Sequence, residues 1–196
     1  MEKVRCGWAR NELAVKYHDT EWGVPLHDDQ KLFEFLILDG AQAGLSWDTI
    51  LNKRENYRKA FDNFDIKTVA SYDEAKCEEL RQNPGIIRNK LKIASAVRNA
   101  KVYLKVQEEF GSFANYLWDF VNHKTIVNSW KELAEIPAVT EVSEVISKDM
   151  KKRGFNFVGP TIIYAYIQSA GLVNDHLTSC FRYDEINKLI DKGNHD

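Results

Sequence analysis

Apolar side chains recur three and four residues apart along most of the chain, and nowhere alternate long enough to propose a sheet. After Asp28-Asp29-Gln30, the run KLFEFLILDGAQAGL predicts a deeply buried helix whose acidic start serves as its N-cap. Ser46 opens a second helix, WDTILNKRENYRKAF, with Trp47, Ile50, Leu51, Tyr57 and Phe61 near helical spacing. Tyr72-Asp73-Glu74 begins EAKCEELRQ, and Pro84-Gly85 stops it. The pattern then predicts a long helix over 86–110, and a shorter one, FANYLWDFVNH, after Gly111-Ser112. Residues 139–152 form an amphipathic helix that Gly154 closes, and Pro160 suits the first turn of TIIYAYIQSAG, closed by Gly171. The stretch 124–137 is the least regular. The expectation is an all-α fold in a single domain, 1–196.

Composition narrows the class. A chain of 196 residues buries a core without staples, and 44% hydrophobic with 29% charged residues is ordinary for a folded domain. Three cysteines cannot build a secreted disulfide framework, and no apolar run approaches membrane-spanning length. The expected setting is the cytoplasm, with no membrane partner. Five Trp, eight Tyr and ten Phe are more aromatics than a core alone requires.

Charge is unevenly placed. The net charge is −2, yet 81–107 contains Arg81, Arg88, Lys90, Lys92, Arg98, Lys101 and Lys105 and no acid. That window is +7 and the rest of the chain −9. Lys148, Lys151, Lys152 and Arg153 form a second cluster ahead of Gly154. A single run of this kind is usually a solvated helix face. Two runs, each beside a glycine-containing turn, also suit phosphate binding. The turn GFNFVGPTIIYA resembles the helix-hairpin-helix pattern, with Phe157 where the first motif glycine stands. There hairpin N–H groups and a helix N-terminus face a phosphate.

Two further groups bear chemistry. Cys6 and His18 lie near one end, while His176 and Cys180, four apart on one helical face, lie near the other. Two thiolates and two imidazoles suit a closed tetrahedral zinc site, but spacing alone equally allows buried thiols and surface histidines. Cys77 is a packing residue. Trp8, Tyr17, Trp22 and Trp47 gather in the first quarter, and Asp39 interrupts the apolar run FLILDGAQAGLSW. Taken alone, Asp39 belongs on an exposed polar stripe, with the tryptophans as core. In a cavity, the same residues would hold a flat or cationic ring by stacking and cation–π attraction.

The chain resembles the type I 3-methyladenine DNA glycosylases of the helix-hairpin-helix superfamily. The matching stretches, in order, are CGW at Cys6, YHDTEWGVP at Tyr17, AGLSW at Ala43, KRENYR at Lys53, PGIIRNKLKI at Pro84, YLWDFVNH at Tyr116, KKRGFNFVGPT at Lys151 and GLVNDH at Gly171, then Cys180. The resemblance implies a helix-hairpin-helix core over roughly 28–172, with termini 1–27 and 173–190 joined by structural zinc on Cys6, His18, His176 and Cys180. It implies base excision repair: hydrolysis of the N-glycosidic bond of 3-methyladenine in alkylated double-stranded DNA by a monomer, with water as nucleophile and free 3-methyladenine as product. Asp39 would be the catalytic carboxylate. Trp47 would stack on the flipped base, Tyr17 and Trp22 would shape its pocket, and Trp8 would lie at the edge. Leu45 would wedge into the base stack. Gly44, Arg88, Lys90, Lys92, Gly159 and Thr161 would complete the DNA contacts. The family usually carries Glu at Asp39, and often a pocket tyrosine at Ala14. The alternative is therefore a weakened or inactive DNA-damage binder on the same fold. Asp175 is expected to support His176.

Overall fold

The computed structural model describes residues 3–193; the outermost residues of the expected domain, 1–2 and 194–196, lie outside it. Ten α-helices are present among the described residues: α1 Glu12–Thr20, α2 Asp29–Gln42, α3 Trp47–Ala60, α4 Ile66–Ala70, α5 Glu74–Gln82, α6 Lys90–Phe110, α7 Phe113–Asp119, α8 Glu141–Arg153, α9 Pro160–Ser169 and α10 Phe181–Gly193. None is long and apolar enough to cross a membrane.

Helix α2 runs through the middle. Every residue from Leu32 to Ala41 is buried, which follows from a sequence apolar on all faces. Asp28 caps it by accepting from Lys31 N at 2.8 Å. Helices α3, α6, α7 and α9 pack around it, with Phe33, Tyr103, Phe113 and Tyr166 filling the core. Tyr166 and Tyr103 hydroxyls donate to the α2 carbonyls of Leu32 and Asp29, at 3.0 and 2.7 Å.

The structure differs from the sequence pattern in four places. Helix α6 begins at Lys90 rather than 86, because Asn89 Oδ1 accepts from both Leu91 N and Lys92 N and sets the N-cap there. Helix α7 stops at Asp119, and Asn122 and His123 turn the chain with φ of 52° and 56°. Helices α1, α4 and α10 lie in segments where the pattern predicted none. A small parallel sheet pairs β1, Ile126–Val127, with β2, Val173–Asn174, so the fold is mostly rather than wholly helical.

Gly171 shows why that junction is tight. Its φ is +73°, and a Cβ there would lie 2.5 Å from the backbone of Val24 and Pro25. Only glycine allows the α9 exit to pass so close to the loop after α1. The two ends of the chain meet beside this crossing.

Candidate functional site

A cavity of about 340 Å³ opens between α1, α2, the start of α3 and α9. Trp8, Tyr17, Trp22 and Trp47 line it together with Asp39, so the five pocket residues expected from the sequence come together. Tyr17 sits 5.4 Å from Trp47 and 6.3 Å from Trp8, centroid to centroid, and Trp8 meets Trp22 edge-on at 5.2 Å. Ala14 is fully buried behind this wall.

Asp39 does not lie on an exposed stripe. Its residue exposure is 3%, because α2 is covered on every side. A second buried acid on the same helix gives the contrast. Glu34 accepts from Arg54 at 2.7 Å and Arg58 at 2.9 Å, and Arg54 also holds Glu21 in a bidentate pair. Asp39 Oδ2 has no hydrogen-bond partner. Burial pushes its pKa well above the usual carboxylate range, and the nearby Arg54 charge only partly opposes this.

Three of the four buried side-chain polar atoms without a partner, among the described residues, belong to this cavity: Asp39 Oδ2, Tyr17 OH and Trp47 Nε1. Burial, followed by the Asp39 carboxylate, raises the Tyr17 phenol. Ser169 is near enough to oppose that shift, but its hydroxyl donates to Ala165 O at 2.9 Å. Buried polar atoms are ordinarily satisfied, so an acceptor and two donor-capable groups left open in one aromatic cavity mark a ligand site.

Behind the wall of Trp8 and Trp22, Cys6, His18, His176 and Cys180 are all buried, with ligand atoms within 4.8 Å of one another. The site can hold a metal ion. Cys180 Sγ lies 3.4 Å from His18 Nε2 and 3.7 Å from His176 Nδ1, and Cys6 Sγ lies 3.7 Å from His176 Nδ1. Each imidazole is oriented by its other nitrogen. His18 Nδ1 is 2.8 Å from Asp19 Oδ1, which Arg5 also holds, and His176 Nε2 is 3.1 Å from Trp22 O. The mutual hydrogen bond raises the Cys6 thiol and lowers that of Cys180.

The residues expected to contact DNA lie on turns and helix starts. Gly44 (φ +77°) and Leu45 form the turn after α2, Arg88 and Lys90 are exposed at the start of α6, and Gly159 and Thr161 open α9. A Cβ at Gly44 or Gly159 would meet nothing within 4 Å, so both backbones face open space. Phe157 adopts φ +55°, the conformation a glycine would take more cheaply, and its Cβ covers Gly40 of α2. Reciprocal bonds tie this turn to α6: Asn99 Nδ2 donates to Asn156 O at 2.9 Å and Asn156 N to Asn99 Oδ1 at 2.8 Å.

Some of the predicted positive charge is committed internally. Lys92 Nζ donates to Ala41 O and Ala43 O, both at 2.7 Å, and so holds the Gly44–Leu45 turn. Arg98 Nε donates to Gly154 O at 2.7 Å. Arg81 pairs with Glu74 and Glu78, and Arg153 with Glu109 and Asp149.

A sequence profile for the methyladenine glycosylases matches residues 8–183. The chain belongs to the methyladenine glycosylase family. DNA-3-methyladenine glycosylase 1 of Escherichia coli (strain K12) is 49% identical over 180 residues, covering 91% of this chain and 96% of that protein. The Haemophilus influenzae DNA-3-methyladenine glycosylase is 49% identical over 178 residues, covering 90% and 96%. Among solved structures, a variant of 3-methyladenine DNA glycosylase I in complex with 3-methyladenine superposes with TM-score 0.88 at 34% identity, covering 90% of this chain and 96% of that one.

In this member of the methyladenine glycosylase family, Asp175 does not support His176. Its carboxylate accepts from Asn128 Nδ2 and Trp130 Nε1 at 2.7 Å, from Gln168 Nε2 at 2.8 Å, and from the Tyr164 hydroxyl. It thereby pins the irregular 124–137 segment onto α9. Gln42, Gln168 and Ser169 also line the cavity and were not anticipated. Gln42 follows Asp39 by three, so helical spacing from that expected wall residue points to it, whereas no expected wall residue lies on α9 to point to Gln168 or Ser169.

Proposed function

We propose that this chain is a monofunctional DNA-3-methyladenine glycosylase, hydrolysing the N-glycosidic bond of 3-methyladenine in alkylated DNA and releasing the free base. The observation that carries this reading is Asp39, a buried carboxylate without a partner, enclosed by Trp8, Tyr17, Trp22 and Trp47. A cationic methylated purine supplies what that carboxylate lacks. The positive charge also weakens the glycosidic bond, so no strong general acid is required. Asp39 faces the cationic base; as the bond breaks its electron pair passes to the base, which leaves neutral, the positive charge moves to the sugar within the field of the carboxylate, and water adds there and gives its proton to solvent. The proposed mechanism uses water as the nucleophile and forms no Schiff base. Trp47 supplies a stacking face, and a neutral adenine gains less from the buried carboxylate.

Helices α8 and α9 with the Phe157 turn serve as the helix-hairpin-helix element of the DNA face. The Cys6, His18, His176 and Cys180 set fits zinc: ideal tetrahedral Zn–S and Zn–N bonds place ligand atoms about 3.3–3.8 Å apart, close to the spacings here. Zinc there is structural and joins the termini, because all four positions are filled by protein. Support for its orientation comes from Asp19 and Trp22 O on the outer imidazole nitrogens.

The test is incubation with methylated duplex DNA followed by chromatography of released bases. Release of 3-methyladenine above the spontaneous rate is expected. Tight binding to the lesion without release would instead establish a damage-binding protein.

A further inference from the structure

Gln168 stands on α9 and lines the cavity beside Ala165 and Ser169. Its Nε2 donates to Asp175 Oδ2 at 2.8 Å. A carboxylate only accepts, so the reversed amide would set two oxygens against each other. Asp175 is buried and held in place by its other partners. Asn128 Nδ2 and Trp130 Nε1 donate to Oδ1, both at 2.7 Å, and the Tyr164 hydroxyl donates to Oδ2. The orientation of the Gln168 amide is therefore set by residues that do not themselves line the cavity. With Nε2 committed, Oε1 is the polar atom that Gln168 has left to offer there, and among the described residues nothing donates to it. The Ser169 hydroxyl, by contrast, donates back to Ala165 O. The open groups of the cavity are then two acceptors, Asp39 Oδ2 on α2 and Gln168 Oε1 on α9, and two that can donate, Tyr17 OH and Trp47 Nε1.

We propose that Gln168 is a specificity-determining residue whose amide oxygen accepts from the exocyclic amine of the methylated adenine, and that Asp175 is the positioning residue that keeps this oxygen toward the base. The proposal rests on the reading of the cavity as a base pocket. At its 6-position adenine carries an amine that donates, whereas hypoxanthine and guanine carry an oxygen that accepts. A 6-oxopurine brings that oxygen against Gln168 Oε1, and both acceptors are left unpaired. A site built to bond a particular N–H rejects an analogue lacking it far better than pocket shape does. An unrestrained glutamine would not discriminate, because half a turn of its amide exchanges acceptor for donor. The choice between 6-amino and 6-oxo bases therefore depends on Asp175, which is not part of the cavity wall.

The test is the ratio of two affinities, for free 3-methyladenine and free 3-methylhypoxanthine, measured by calorimetric titration at a temperature where circular dichroism shows each protein folded. The native protein is expected to prefer 3-methyladenine by about 30–100-fold, the worth of one hydrogen bond made and one acceptor left unpaired. Q168M keeps the length of the side chain and removes its polar end, and is expected to cut that ratio about tenfold, mostly by weakening 3-methyladenine. D175N goes further. Trp130 can only donate, so the new amide keeps its oxygen toward Trp130 and turns its N–H toward Gln168. Gln168 meets that N–H with Oε1 and presents Nε2 to the cavity, so D175N is expected to favour 3-methylhypoxanthine. A merely structural role would weaken both bases alike. A native ratio in Q168M overturns the role of Gln168, a native ratio in D175N overturns that of Asp175, and native protein that binds both bases equally, or neither, overturns the proposal entirely. No DNA is present, so a failure of the glycosylase reading shows separately, as absent 3-methyladenine in the chromatographic test.

Discussion

Replacing Asp39 with Asn should make this protein more stable and less able to excise a base. The carboxylate sits at 3% exposure with Oδ2 unpartnered, whereas the equally buried Glu34 is held by two arginines. Burial raises the Asp39 pKa in the folded state above its unfolded value. Its contribution to stability is therefore full below the unfolded pKa, near 4, and is lost as pH rises through the folded pKa. Asn carries no charge and suffers no such loss. An Asn amide is left just as unpaired, so the difference is the charge: each pKa unit by which burial raises the carboxyl is worth about 1.4 kcal/mol, and at this chain length each kcal/mol moves Tm by about 2–4 °C. D39N should then melt roughly 2–10 °C above the native protein at pH 7.5, with the gap closing toward pH 4. Excision should fall by about 10²–10³-fold, the effect of removing one preorganised electrostatic group from a transition state. Thermal melts across pH 4–8 and base release from methylated DNA check both arms. A lower Tm for D39N at pH 7.5, a gap that does not widen with pH, or release at the native rate would each refute the argument.

Lengthening the side chain tests reach: D39E should raise excision about tenfold, given the sensitivity of catalysis to placement near 1 Å, measured as 3-methyladenine released per minute. G171A places a Cβ 2.5 Å from the Val24–Pro25 backbone at φ +73°, and should lower stability by more than about 4 kcal/mol, seen as loss of soluble protein or a collapsed melt. Removing metal with a strong chelator should release about one zinc per chain and lower Tm by about 10–20 °C, since the cluster closes a loop of more than 150 residues, worth about 5 kcal/mol by the entropy of closure. D175N presents a donor to a ring of four donors and should destabilise by about 2–4 kcal/mol while metal content, read by atomic absorption, stays at the native value.

What the sequence made legible was local. Helix α2 is apolar on all faces and begins at a capping Asp, so both its existence and its burial follow from periodicity. Helix α1 is short, and its run NELAVKYHDT has little apolar content to mark a face. The β1–β2 pair has two residues per strand and is held by Ile126 N donating to Leu172 O and Asn128 N donating to Asn174 O across the fold. Charge counting had the same limit. It located the acid-free window, but not that Lys92 and Arg98 are committed to carbonyls, or that α5 acids neutralise Arg81. Asp39 is the sharpest case. Read from α2 alone it suggests an exposed position; only the packing of α1, the start of α3 and the sequence-distant α9 makes that position a cavity wall.

The same logic explains why a cluster able to hold a metal ion stands behind the aromatic cavity. The four aromatic walls come from the first fifty residues, and Trp8 and Trp22 among them lie outside any helix. Trp22 lies edge-on to His176 at 4.6 Å and parallel to His18 at 6.3 Å, and Trp8 meets His18 at 5.3 Å. Trp22 O also accepts from His176 Nε2. The two imidazoles thus fix two of the four aromatic walls, and an ion held by the cluster would fix them further by joining both ends of the chain. A cavity for a flat cation needs rigid faces more than it needs many contacts, because each open polar atom must already point at its partner. Loss of the ion should therefore weaken binding of free 3-methyladenine before the helical core melts. Calorimetric titration of the base into partially chelated protein, at a temperature where circular dichroism stays native, measures that order. Undiminished base affinity in the metal-free protein would show that the core alone holds the tryptophans in place.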